Sequence, residues 1–256
     1  MATPPLVSAV ERDGALLRLT LARPKANIMD AAMIAALRDA LARHAGSGAL
    51  RGVILDAQGP HFSFGASVEE HLPATCGPML AGLHALIVAM LEFPAPILVA
   101  VRGQCLGGGL EVALAGSQIF VAQDARLGQP EMKLGVFAPA ASVLLPYRIG
   151  TAAAEDLLLS GRSIDAAEAC SIGLVHEVAD DPGAAALEWF DTHLAPKSAA
   201  SIRFALRAAR LARLDAIRTG LAAAERLYLQ GLMNTRDANE GLAAFLAHRA
   251  PAWEHQ

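Results

Sequence analysis

The hydrophobic pattern changes period along the chain. Over residues 6–20 apolar and polar positions alternate around Asp13-Gly14 (VSAV, ERDG, ALLRLTL), which predicts a β-hairpin. Arg23-Pro24 breaks it. The stretch from Asn27 to Asp30 leads into an Ala-rich segment of helical period, predicting a helix over 31–45. RGVILD (51–56) reads as a buried strand and HFSFGA (61–66) as an extended piece ending in a turn. A helix is predicted over 78–92, where Pro94 and Pro96 stop it; strands are predicted at ILVAV (97–101) and QIFVA (118–122). The run VFAPAASVLLPYRIG (136–150) reads as a loop feeding an Ala-rich helix. Helices follow over 149–160 and 163–171, the second capped by Ser163, with Asp165 and Glu168 in its first turns. A short strand is expected at 174–178, and from Asp181 the pattern is helical almost to the end. Strand–helix alternation ahead of an all-helical tail predicts an α/β fold with a helical C-terminal part.

The stretch that organises the rest is ILVAVRGQCLGGGLEVA (97–113): a buried strand, a short turn RGQC, three glycines, and a helix start carrying Glu111. Glycines at such a junction let backbone approach a ligand with no Cβ in the way. A helix N-terminus leaves N–H groups unpaired and carries partial positive charge, so it suits a polarised carbonyl oxygen or an oxyanion. A carboxylate one turn on is a candidate acid or base beside that oxygen. Tight helix–strand packing would ask for the same glycines, so the stretch alone does not decide.

Composition narrows the classes. Among the 256 residues 54% are hydrophobic and 18% charged, enough for a sizeable core. The mean hydropathy of +0.38 suggests apolar surface buried between subunits. No run of about 18 uncharged apolar residues occurs, which argues against spanning helices. A net charge of −4 gives no general attraction to nucleic acid. No basic segment followed by an apolar core opens the chain, so no signal peptide is expected. Cys76, Cys105 and Cys170 are an odd set without metal-ligand spacing, which fits a reducing cytoplasm; no CxxC, HExxH or GxSxG is present.

VRGQCLGGGLEVA resembles the enoyl-CoA hydratase/isomerase family, the crotonases. RPKANIMD, HFSFGAS, GQPEMKLG and DANEGLAAFLAHRAPAW match further family segments in the expected order and together span most of the chain. The resemblance implies a crotonase-like ββα spiral core over 1–190, which holds a CoA-thioester site. It also implies a C-terminal helical region over 191–256 that forms trimers, or hexamers built from two trimers. It implies an acyl-CoA substrate, with coenzyme A as part of that substrate and no separate cofactor, no metal, and no nucleic-acid or membrane partner.

Residue by residue, the resemblance makes Glu111 the water-activating base and Glu131 the proton donor. Hydrating a double bond conjugated to a carbonyl needs one group to take a proton from water and another to protonate the α-carbon. Partial burial would raise at least one of the two carboxyl pKa values. Gly108 N–H and Ala66 N–H become the oxyanion hole. Lys25, Ala26 and Asn27 lie where the family passes the CoA adenosine and pyrophosphate. Arg203, Arg207, Arg210 and Arg213 recur on one helical face, a solvated stripe or a contact to CoA phosphates. His61 and His71 lie near the expected acyl pocket, while His84 is expected to pack against the helices.

Two departures bear on the substrate. The turn at 64–67 reads FGAS where the family usually carries an A-G-A-D-like run, so the carboxylate is missing while the small residues stay. After Glu131 a glycine-rich run is replaced by Ala138-Pro139-Ala140-Ala141-Ser142, which would remove a backbone donor and stiffen the wall beside the water site. Phe64, Gly65, Phe137, Pro139 and Leu144 are then expected to line a closed acyl pocket. FGASVEEH together with GVFAPAAS is similar to the hydratases of cyclohexa-1,5-diene-1-carbonyl-CoA within the family, enzymes of anaerobic aromatic (benzoyl-CoA) degradation. That similarity implies 6-hydroxycyclohex-1-ene-1-carbonyl-CoA as product. General enoyl-CoA hydration or isomerisation, thioester hydrolysis, and a non-catalytic CoA-binding scaffold stay open at this point.

Overall fold

The computed structural model describes residues 4–256. Its first layer is a six-stranded sheet in the order β1-β2-β3-β4-β6-β9. The strands are β1 (Leu6–Glu11), β2 (Leu16–Leu21), β3 (Gly52–Ala57), β4 (Ile97–Val101), β6 (Gln118–Val121) and β9 (Glu177–Val178). The β1–β2 pair is the antiparallel hairpin the alternation predicts, and every later pairing in this sheet is parallel. A second sheet, β5-β7-β8, joins Gln104–Leu106, Arg126–Gly128 and Ser163–Asp165.

Side chains alternate across the main sheet, and each face has its own core. Leu17, Leu19, Val53, Leu55, Ile97 and Val99 face α1 (Ala31–His44) and α2 (Cys76–Glu92) in the main cluster. Their neighbours Leu16, Ile54, Leu98 and Phe120 point the other way, onto Ala186, Phe190 and Leu194 at α6 (Pro182–His193). The α6 helix seats closely: a Cβ on Gly52 would lie 2.8 Å from the Phe190 ring. Asp30 caps α1 by accepting from Met33 N–H at 2.8 Å, as its place after the loop predicts.

Three local expectations are corrected. The RGQC turn contains strand β5, because Gln104–Leu106 pairs in parallel with β7. Residue 163 opens β8 rather than a helix; the following helix α5 (Ala166–Ser171) is capped by Asp165, which accepts from Glu168 N–H at 2.9 Å. The Ala-rich helix α4 starts at Pro139 and runs to Ser160, breaking at Gly150, so the expected loop is already its first turns. The tail is α7 (Ala199–Arg226), a π-helical turn Leu227–Gly231, a 3₁₀ turn, and α8 (Arg236–Leu246). No helix among the described residues is long and apolar enough to cross a membrane.

Candidate active site

Helix α3 (Gly108–Leu114) begins two residues after β5 and is buried along its whole length. Gly107 caps it at φ 49°, ψ −129°, a conformation that a residue with a Cβ adopts only under strain. Two neighbours also exclude a side chain here. A Cβ on Gly107 would stand 2.6 Å from Glu131 Oε1, and one on Gly108 would stand 3.1 Å from both the nitrogen and the Cβ of Ala66. The triple glycine therefore sits between the 63–66 turn and the second glutamate.

The 63–66 turn is held by its own network. Ser63 Oγ donates to Asn27 O at 2.8 Å and accepts from Gly65 N–H at 3.1 Å. Phe64 N–H donates to Ala26 O, and Met29 N–H to Gly65 O, each at 2.9 Å. Gly65 takes φ +111°. These bonds leave Ala66 N–H and Gly108 N–H side by side, and neither has a protein acceptor among the described residues. Two adjacent, rigid, unpaired N–H groups at a helix start are a ready oxyanion site.

Glu111 lies on the first turn of α3 and is 3% exposed. Its Oε1 accepts from Ala140 N–H at 2.8 Å and Ala141 N–H at 2.9 Å, so the unpaired N–H groups at the start of α4 receive the carboxylate. Burial pushes its pKa up, while the Ala141 and Ala140 N–H groups and a charge on His84 pull the other way. Glu131 stands in a 3₁₀ turn after β7. Part of the residue reaches the surface, yet its carboxylate is surrounded by protein. Burial first, and the charge of Glu111 second, push its pKa up to about 8. With the Gln129 carboxamide oriented so that its nitrogen faces Glu131, that nitrogen lies 3.1 and 3.2 Å from the two carboxylate oxygens. Burial thus raises both carboxyl groups above the ordinary carboxylate range, and the two titrate as a pair in which Glu111 has the two backbone donors that favour its charged form.

The other expected residues divide. Lys25 is exposed, at φ +92°. Asn27 is 1% exposed and its side chain is spent on the loop, donating to Gln58 O and His61 O and accepting from Arg23 N–H, each at 3.0 Å. It shapes the chain and has no donor left for a nucleotide. Pro139 opens α4 and carries no N–H; the donors that follow it, Ala140 and Ala141, go to Glu111. Phe64, Phe137 and Leu144 do not form one wall. Leu144 lies in the main core, Phe137 packs in a separate cluster around Tyr228, and Phe64 is 43% exposed with its ring edge-on to His61.

The arginine stripe is not simply solvated. Arg203 donates to the carbonyls of Ser47 and Gly48, and Arg210, 4% exposed, to Leu91 O and Ser117 Oγ, so both tie α7 to the body. His61 Nδ1 lies 3.2 Å from Gln104 N, and His71 Nδ1 lies 2.7 Å from Ser67 O. His84 is buried as expected, with its Nδ1 2.8 Å from Glu225 Oε2. Sequence reasoning passed over Gln129 and Tyr228. Gln129 stood inside the GQPE motif; Tyr228 gave no local signal, because its place depends on how α7 ends.

Fold and site together define an acyl-thioester enzyme of the α/β spiral type, and the chain belongs to the enoyl-CoA hydratase/isomerase family, which matches residues 11–256. It is 62% identical over 255 residues to the cyclohexa-1,5-dienecarbonyl-CoA hydratase of Thauera aromatica, covering 100% of this chain and 99% of that one. A probable enoyl-CoA hydratase of Mycobacterium tuberculosis is 34% identical, over 96% of this chain and 97% of the other. The solved structure of an enoyl-CoA hydratase/isomerase from Pseudoalteromonas atlantica superimposes with a TM-score of 0.86 at 30% identity, covering 97% and 99% of the two chains.

Proposed function

We propose that the protein hydrates cyclohexa-1,5-diene-1-carbonyl-CoA to 6-hydroxycyclohex-1-ene-1-carbonyl-CoA, a hydro-lyase step in aromatic-ring breakdown. The observation that carries this is the 62% identity along the full chain to the Thauera aromatica hydratase. The two glutamates and the paired N–H groups of Ala66 and Gly108 supply the chemistry.

The product's connectivity and the polarity of the conjugated thioester, electrophilic at its β-carbon, together set where the atoms go. Water adds at C2, β to the thioester carbonyl, and a proton enters at C5; the double bond left then joins C1 to C6. Renumbered, that product carries its hydroxyl on C6. The proton thus enters at the far end of the conjugated system instead of the α-carbon. Glu111, held as carboxylate by Ala140 and Ala141, takes a proton from water as the oxygen bonds to C2. Charge flows to the thioester oxygen, where Ala66 and Gly108 N–H receive it. It is also delocalised to C5, and Glu131 gives up its proton there. The proton on Glu111 passes back to Glu131 through the next water, restoring the singly protonated pair.

The test is a comparison of specificity constants. That for the cyclic dienoyl thioester is expected to exceed that for crotonyl-CoA by at least about tenfold, the low end of what a shaped acyl pocket discriminates. Equal or better use of crotonyl-CoA would return the protein to general enoyl-CoA hydration.

The C-terminal region 191–256 is assigned to assembly as a trimer or a pair of trimers. Phe204 and Leu211 on α7 are 73% and 67% exposed, and with Leu91, Phe93 and Pro94 they line a cavity of about 610 Å³. Such an apolar face suits another subunit. Light scattering that gave a monomer at micromolar concentration would contradict this. The cytoplasm is the proposed location, in keeping with the free thiols of Cys76, Cys105 and Cys170.

A further inference from the structure

Tyr228 stands where the last long helix changes pitch. Residues Leu227–Gly231 make a π-helical turn directly after α7, a local widening that rotates side chains out of the preceding register and recurs at functional sites. Its neighbour Leu227 is 63% exposed, whereas Tyr228 is turned fully inward, at 0%. The Tyr228 ring meets Phe137 edge-on, centroids 5.4 Å apart, and Phe137 follows Glu131 on the same strand-to-helix connection. Cys76, Met79, Leu80 and Leu242 complete an apolar surround.

The hydroxyl of Tyr228 has no hydrogen-bond partner among the described residues. Burial first, and then the neighbouring Cys76, Glu131 and Glu111, push the phenol well above its ordinary value, so it stays an O–H donor near both glutamates. An unsatisfied buried hydroxyl is unfavourable, and phenylalanine would fill the same space without it. Packing asks for the ring; nothing in the protein asks for the oxygen. The missing acceptor must arrive with the ligand.

We propose that Tyr228 is a further catalytic residue whose phenol O–H donates a hydrogen bond to the oxygen that adds to the ring, first as water between Glu111 and Glu131, then as the product hydroxyl. This rests on the hydratase function above. The phenol keeps its proton throughout. By engaging one lone pair of the water, it leaves the other directed at the β-carbon while Glu111 removes a proton. In the reverse direction it supports the departing hydroxide.

The test uses the full-length protein and Tyr228→Phe. The variant should melt at the same temperature or higher, since it loses an unpartnered hydroxyl. Its kcat on the cyclic dienoyl thioester should fall about tenfold, corresponding to ~1.4 kcal/mol. Calorimetry in a Glu131→Gln background, which leaves added ligand unconverted, separates orientation from packing. There Tyr228→Phe should weaken 6-hydroxycyclohex-1-ene-1-carbonyl-CoA about tenfold and leave cyclohex-1-ene-1-carbonyl-CoA, which lacks the hydroxyl, unchanged. Equal weakening of both thioesters, or a kcat within about twofold of wild type, overturns the role, since one hydrogen bond is worth more than that. A Glu131→Gln protein that binds the two thioesters equally overturns it without the second substitution. Wild-type protein inert toward the dienoyl thioester would sink the hydratase function and this role together; active wild type with an unaffected variant sinks this role alone.

Discussion

Glu111 Oε1 and Ala140 N lie 2.8 Å apart, and that bond makes the first turn of α4 part of the environment of the two buried glutamates. The dipole and free N–H groups of a helix start favour the charged form of this carboxylate against the burial that raises its pKa, and among the described residues no comparable pair of backbone donors meets Glu131. Equivalent acids at the two positions would compete for the same role; unequal donors divide it. Glu111→Gln and Glu131→Gln should each cost at least about 100-fold in kcat, the lower end of general acid–base contributions. Binding of the CoA thioester should survive, because each substitution keeps the size and shape of the side chain. Steady-state kinetics alongside calorimetry checks this, and kcat retained within a few-fold in either variant refutes the two-carboxylate scheme.

The same inequality sets a pH dependence. Glu131 must be protonated to donate, and its pKa is raised to about 8. Turnover should therefore hold through neutrality and fall as pH rises past about 8. Linkage gives stability the same sign. The folded state binds this proton more tightly than the unfolded chain does, so its contribution to stability is full below the ordinary carboxyl value of 4.5, declines as pH rises towards about 8, and is gone above it. A pH series should therefore show this site's part of the melting temperature declining between about pH 4.5 and 8 and levelling above, where kcat begins to fall. A kcat that rose steadily from pH 7 to 9.5 would exclude Glu131 as the acid.

Gly108 offers a direct test of the paired N–H groups. A methyl there would meet Ala66 N and Cβ at 3.1 Å, so Gly108→Ala must push the 66 turn away or fill the space between the donors. Losing one oxyanion donor costs on the order of 3 kcal/mol, about 100-fold in kcat. The fold should persist, since Gly108 has ordinary helical backbone and only its contact is tight. Circular dichroism and turnover together decide: a folded, fully active Gly108→Ala protein would remove Gly108 from the oxyanion site.

Much of this was legible in the chain because it is local. Period-2 alternation placed β1 and β2, and the glycine run placed the start of α3, since each depends on neighbours in sequence. The RGQC segment was not legible as a strand, because β5 owes its identity to β7, which lies in a separate stretch of chain. Pro139 invited a steric reading as a wall; its actual effect, opening a helix whose N–H groups face Glu111, needs the position of α3. Asn27 matched a nucleotide-binding segment by order, but three hydrogen bonds to the backbone occupy it. Tyr228 becomes visible only when the π turn points it inward.

Gln129 carries the last prediction. It is 1% exposed, precedes Pro130 and Glu131, and its carboxamide nitrogen lies within 3.1–3.2 Å of both Glu131 oxygens. A donor to a carboxylate stabilises the ionised form, so Gln129 opposes the upward push that burial and Glu111 exert. Removing it should raise the Glu131 pKa further and move the alkaline limb of the kcat profile to higher pH. Gln129→Met keeps the volume and removes the donor. It should also lower kcat severalfold, up to about tenfold, because a freed Glu131 carboxyl samples more than one orientation. A purely structural glutamine would lower stability without moving the limb. The decisive measurement is the pH profile of Gln129→Met beside wild type: a limb displaced upward by a few tenths of a pH unit or more supports the positioning role, and an unmoved or downward limb refutes it.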